Sequence, residues 1–211
     1  MNIKNLCVAL AVSALPLLAT PAMAHTAVYT ADLSKLGEPA PADLSLGTGT
    51  ATVTLDLDAF TMRVQASFSN LTGNTTASHI HCCTALANAG SAGVATVTPS
   101  FTSFPLGVKS GTYDYLYNLS FPSAATGGAL FGWNTAFINA NGGTASSAFA
   151  ALATGLDSGK AYLNIHTSFV GGGEIRGFLV AAPVPEPETY GMLLAGLALV
   201  GALARRRKQT A

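Results

Sequence analysis

Val53, Leu55 and Leu57 alternate with Thr52, Thr54 and Asp56; after a break at Asp58-Ala59, Met62, Val64, Ala66 and Phe68 alternate with Arg63, Gln65 and Ser67. A period of two places every apolar side chain on one face of an extended strand, whereas a helix would scatter them around its circumference. Residues 46–70 therefore read as two half-buried strands joined in a hairpin. Residues 78–83 follow the turn signal Thr72-Gly73-Asn74 as a further strand, and the aromatic run TYDYLYNL at 112–119 is bounded by Gly111 and Pro122. A second hairpin is expected from 160–169 and 174–181, joined through Gly171-Gly172-Gly173, while only ASSAFAALAT at 145–154 reads as a helix. Many short strands with Gly-rich turns predict an all-β chain: an antiparallel, Greek-key-like sandwich or barrel with at most one short helix.

The two ends read differently. Lys4, an apolar core over 6–18 and the small-x-small site Ala22-Met23-Ala24 form a secretory signal pattern. Signal peptidase is expected to cut between Ala24 and His25, removing Cys7. At the other end Pro185-Glu186-Pro187 precedes an apolar run over 190–204 and the block Arg205-Arg206-Arg207-Lys208. The run is short against the ~20 residues of a spanning helix, but Tyr190 and the arginines suit the two interfaces. A transmembrane helix is expected, held in the inner membrane with its positive block on the cytoplasmic side. The chain thus divides into a signal peptide (1–24), a β domain (25–182) and a sorting or transmembrane tail (183–211).

This three-part tail resembles the PEP-CTERM sorting signal of Gram-negative bacteria. The resemblance implies that an exosortase processes the tail and passes the protein to the envelope, the cell surface or the extracellular polysaccharide matrix. A permanent tail anchor is the other reading. Between the ends, five Lys and Arg face eight Asp and Glu, a net charge of −3, with no basic cluster. That removes the electrostatic basis for binding nucleic acid.

The sequence holds four histidines, and two of them lie in ASHIHCC at 77–83. On a strand, His79 and His81 project from one face and can converge on one ion. His166 joins them if its hairpin neighbours their strand. Imidazole ligands suit copper or zinc among other metals; a hydrogen-bonded polar cluster without metal is the competing reading. His25, at the expected mature terminus, offers an amine and Nδ1 as a further copper-chelating pair. After loss of Cys7, Cys82 and Cys83 are the remaining thiols in an oxidising compartment. A disulfide between these neighbours is favoured over ligation by Cys83 or two free thiols. Glu174 and Arg176, two apart, are expected to form a structural ion pair, and Asp56 and Asp58 to be solvated.

HIH at 79–81, YLNIHT at 162–167 and GEIRG at 173–177, preceded by YTADLSKLGEPAPA at 29–42, resemble the CHRD (chordin-type) domain in order and spacing. The resemblance implies a secreted β domain more firmly than an activity. It departs at Cys82-Cys83, where family members commonly continue with Gly and Pro. No nucleophile elbow, phosphate loop or HExxH appears. The expected function is a structural or binding module of the envelope or matrix, with at most one copper or zinc ion. The alternative is a copper- or zinc-dependent redox enzyme, since HxH on a strand is locally similar to Cu,Zn superoxide dismutase. That family's bridging histidine and zinc-ligand loop have no counterpart here.

Overall fold

In the computed structural model of the chain, the described residues are 25–38, 42–120 and 132–183, with 191, 193–198, 200 and 205 of the tail. The signal peptide with Ala24, the sorting triplet Pro185-Glu186-Pro187, and Arg206 and Arg207 lie outside them. Residues 193–198 are helical and Arg205 is exposed. Among the described residues no helix is long and apolar enough to cross a membrane. The expected spanning helix is therefore not seen there, and the rest of that segment lies outside them.

Two antiparallel sheets make up the fold. β1 (Thr26–Leu33), β2 (Thr48–Asp56) and β3 (Thr61–Ser69) form a meander, and β5 (Gly111–Asn118) pairs with the far edge of β3. β8 (Val180–Ala181) pairs with β1, so the larger sheet runs β5-β3-β2-β1-β8. The smaller sheet runs β4-β6-β7, from β4 (Thr75–Cys82), β6 (Ala161–Thr167) and β7 (Ile175–Phe178). The alternation of β2 and β3 has its expected meaning: Val53, Leu55, Met62, Val64 and Phe68 are all buried. Leu57 is the exception. It falls past the strand, in a turn where Asp56 Oδ1 accepts the Asp58 and Ala59 N–H groups, and stands 40% exposed.

The helical expectation needs enlarging. α2 (Ala145–Asp157) covers the predicted segment, started by a capping box between Thr144 and Ser147. Before it lies α1 (Thr135–Ala140), started by Asn134, whose side chain accepts the Ala136 N–H. A 3-10 turn over Ala42–Leu44 adds a third short helical element. α1 spans under two turns and has Ile and Phe where a strand would also accept them, so periodicity cannot reveal it.

The predicted strand over 174–181 is split. At Leu179 the chain leaves the smaller sheet and joins the larger one as β8. β7 also crosses β1: Ser34 N–H donates to Arg176 O at 3.0 Å and Arg176 N–H to Ser34 O at 2.8 Å. A Cβ at Gly177 would meet the Asp32 carbonyl oxygen at 2.3 Å, so this crossing requires glycine. The core lies between the sheets, where Tyr29, Leu55 and Met62 of one meet Ile80, Leu163 and Ile165 of the other, with Leu152 and Leu156 of α2 beside them.

Candidate metal centre

The smaller sheet has one face in the core and another that carries polar chemistry. Ile80, Leu163, Ile165 and Ile175 point inward and are fully buried. Neighbours in the strand register place the opposite set together: His79 faces Asn164, which faces Arg176; His81 faces Tyr162, which faces Phe178. His166 sits opposite Ala77, one position along the same face, beside a register irregularity between Thr75 and Ala77.

His79 and His81 are 6% and 8% exposed, and His166 is half-buried. The three rings lie 5.1–5.9 Å apart between centroids, and one nitrogen from each falls within 4.8 Å of the others. The remaining nitrogens are held by backbone carbonyls. His79 Nε2 lies 2.7 Å from Pro99 O, His81 Nδ1 2.9 Å from Ala92 O, and His166 Nδ1 2.9 Å from Gly171 O. A carbonyl only accepts, so each of these nitrogens is N–H, and in the neutral ring the other nitrogen carries a bare lone pair.

The bare nitrogens are therefore His79 Nδ1, His81 Nε2 and His166 Nε2. Two of them, His79 Nδ1 and His166 Nε2, face each other at 3.2 Å, and His81 Nε2 is buried with no hydrogen-bond partner. Lone pairs at that distance repel unless a proton or a cation joins them. Burial opposes the proton: it pushes His79 down to about 4 and lowers His81 and His166, against the raising effect of their carbonyl partners. A metal cation is the other species that joins such lone pairs; one pair stands at 3.2 Å and all three nitrogens lie within 4.8 Å of one another. Zn–N bonds of ~2.0–2.1 Å at a tetrahedral angle separate ligand nitrogens by about 3.3 Å. Carbonyls that fix the tautomer from behind are the usual outer partners of metal-binding imidazoles.

The chain matches the CHRD domain model over residues 29–179. It belongs to the CHRD domain family. The tail matches the PEP-CTERM protein-sorting motif over 183–208. That motif marks this CHRD protein for exosortase processing, membrane anchoring and export through the inner membrane of a Gram-negative bacterium, towards the envelope or surface. No curated protein and no solved structure matches the chain.

Other residues singled out in this CHRD sequence lie apart from the three rings. His25 is at the exposed start of the described chain, where its Nδ1 lies 3.6 Å from Asp58 Oδ1. It is not in the cluster. Cys82 and Cys83 are joined by a disulfide, which removes Cys83 as a thiolate ligand; Cys82 faces the core and Cys83 is exposed.

The expected pairing of Glu174 with Arg176 is not made. Glu174 precedes β7, after Gly173 at φ +133°, so the strand rule for residues two apart does not reach it. Its carboxylate accepts from Ser45 Oγ at 2.6 Å, Thr167 Oγ1 at 2.6 Å, Thr72 N–H at 2.5 Å and Gly73 N–H at 3.0 Å. Burial alone would raise its pKa, but these four bonds hold it below the usual carboxylate value. Arg176 instead lies over Tyr162, with its guanidinium carbon 4.7 Å from the ring centre, and donates to Ser91 Oγ at 3.3 Å.

Tyr162 and Asn164 neighbour the histidines in the strand register and are the residues that sequence reasoning did not single out. Both carried a signal, since Tyr162, Asn164 and His166 stand at alternate positions of one strand.

Proposed function

We propose that this chain is an envelope or matrix module of the CHRD family that holds one copper or zinc ion on His79, His81 and His166, among extracellular polysaccharide. The observation that supports it is the convergence of three bare imidazole nitrogens, each with its second nitrogen already committed to a carbonyl. When bound, the ion would supply a Lewis-acidic or redox-active centre. The chain's own part is to present neutral ligands, fix their orientation and keep two of them out of water. Three protein ligands leave a coordination position open, the pattern of sites that act on small molecules. That feature favours an enzyme as the second reading, in which copper would supply redox chemistry and zinc only a Lewis acid.

Elemental analysis by mass spectrometry tests the site on the full chain, exported to a periplasm and purified in detergent without a polyhistidine tag. About one equivalent of copper or zinc is expected, and it should be lost in the His79→Ala/His81→Ala variant. No metal in the parent, even after reconstitution, would overturn the proposal. An unchanged equivalent in the variant would place the ion elsewhere.

A further inference from the structure

Among the described residues four buried side-chain nitrogen or oxygen atoms lack a hydrogen-bond partner, and His81 Nε2 is the one that belongs to the histidines. The other three are Glu38 Oε1, Asn164 Oδ1 and Arg176 Nε. Two glycines show that they gather in one place. A Cβ at Gly173 would sit 2.6 Å from Asn164 Oδ1 and 2.7 Å from Glu38 Oε1. A Cβ at Gly37, next to Glu38, would sit 3.2 Å from Arg176 Nε and 3.0 Å from Nη2. Both glycines have positive φ, +133° and +83°, so the backbone as well as the crowding keeps side chains out.

Glu38 and Arg176 line a cleft of about 840 Å³, with Asp32, Ser91 and Phe178 among the other walls. Its volume is that of a small-molecule site. The cleft opens beside the histidines, not over them: no histidine lines it. Arg176 and Asn164 are 6% and 2% exposed. Burial raises the Glu38 pKa to about 7 against the lowering effect of Arg176. Yet the carboxyl and the guanidinium make no ion pair among the described residues. Two groups of opposite charge are therefore held in one cleft, near enough to feel each other and too far apart to touch.

What binds both side chains from the cleft must accept from the guanidinium and donate to the carboxyl. An anion meets Arg176 well but is opposed by Asp32 and Glu38; a cation meets the reverse. A hydroxyl does both without charge, and the Phe178 ring offers an apolar wall to the C–H face of a sugar. We propose that this cleft binds a neutral sugar residue of a glycan, anchored by Glu38 and Arg176. The inference rests on the preceding reading only for the polysaccharide surroundings, and does not need the metal.

Saturation-transfer NMR on the exported full chain in detergent micelles tests it. Methyl α-D-glucopyranoside, methyl β-D-galactopyranoside and methyl α-L-rhamnopyranoside are the neutral probes; methyl β-D-glucuronide and glucosamine are the charged ones. At least one neutral glycoside should be saturated, with millimolar affinity, and more strongly than either charged probe. Glu38→Ala should weaken it by about tenfold or more, as expected for a lost hydrogen bond to a charged group. Melting followed by circular dichroism shows whether that variant is folded, and Phe178→Leu, which removes the ring and leaves the polar anchors, should also weaken binding. Silence from all neutral probes at about 50 mM, well above a millimolar Kd, would overturn the proposal. So would preferential binding of a charged probe, or unchanged affinity in both folded variants. Sugar binding lost in a preparation that keeps its metal sinks this inference alone; metal lost with sugar binding kept sinks the other.

Discussion

The Tyr162 ring lies flat against the His81 imidazole, with centroids 4.8 Å apart and planes 3° from parallel. The same ring carries the Arg176 guanidinium, so one phenol orients a proposed metal ligand and braces the wall of the cleft. Orientation of a ligand ring is commonly worth 10–100-fold in metal affinity. Tyr162→Leu should therefore weaken metal binding by about tenfold or more, measured by competition against a chromophoric chelator. Tyr162→Phe keeps the ring and loses only the long contacts of its hydroxyl with Ala92, accepting from the N–H at 3.3 Å and donating to the carbonyl at 3.4 Å, so it should stay within about threefold of the parent.

Acid should loosen the fold and the site together. His79 is neutral in the folded chain until about pH 4, whereas an unfolded histidine titrates near 6.5. Between those values the unfolded chain binds more protons, so stability falls as the pH falls from 6.5 to 4. The displacement of His79 alone corresponds to about 3 kcal/mol. His81 and His166 shift in the same direction and add to the slope. Protons also compete for the ligand nitrogens. Thermal melts of metal-free protein at pH 7, 5.5 and 4 should show a falling Tm, and a smaller fall in His79→Ala.

Two carboxylates offer a contrast between burial and exposure. Asp114 is held by a bidentate pair with Arg63, at 2.8 and 2.6 Å, on the open face of the larger sheet. Glu174 is fully buried and takes four hydrogen bonds that tie the 72–73 turn to β6 and to Ser45. Urea denaturation should show Asp114→Ala costing under about 1 kcal/mol. Glu174→Gln should cost about 3 kcal/mol, because its amide hydrogens would face donors in a buried setting.

Gly155 sets two effects against each other. Alanine in a helix interior gains up to about 1 kcal/mol over glycine. Here, however, its Cβ would come within 2.5 Å of both sulfurs of the Cys82–Cys83 disulfide. Overpacking of that kind costs about 1–3 kcal/mol and should win. Gly155→Ala should therefore lower the urea midpoint in the parent. The same substitution should be neutral or stabilising in a Cys82→Ala/Cys83→Ala background, a coupling that a double-mutant cycle reads directly.

The strands of the larger sheet were legible because one of their faces meets water. β2 and β3 carry the contrast between Val53 and Thr52, or Val64 and Arg63, that alternation needs. β4 is buried on both faces from Ser78 onward, so its strand character rested on a turn signal and its chemistry on the His-x-His spacing. That spacing sufficed to place His79 and His81 together, but the meeting with His166 depended on β6 lying beside β4, which is a property of the whole topology. The Glu174–Arg176 expectation failed at a single dihedral, since Gly173 turns the chain just before the strand begins. Glu38 comes from a loop at the other end of the sequence, and no periodicity reports where a loop returns.

The β4-β6-β7 sheet assigns alternate residues of the same three strands to two different tasks. Ile80, Leu163 and Ile175 bind the sheet to its partner, while His79, His81, Asn164, Tyr162 and Arg176 look the other way. Substitutions at even and odd positions are thereby answerable to different constraints.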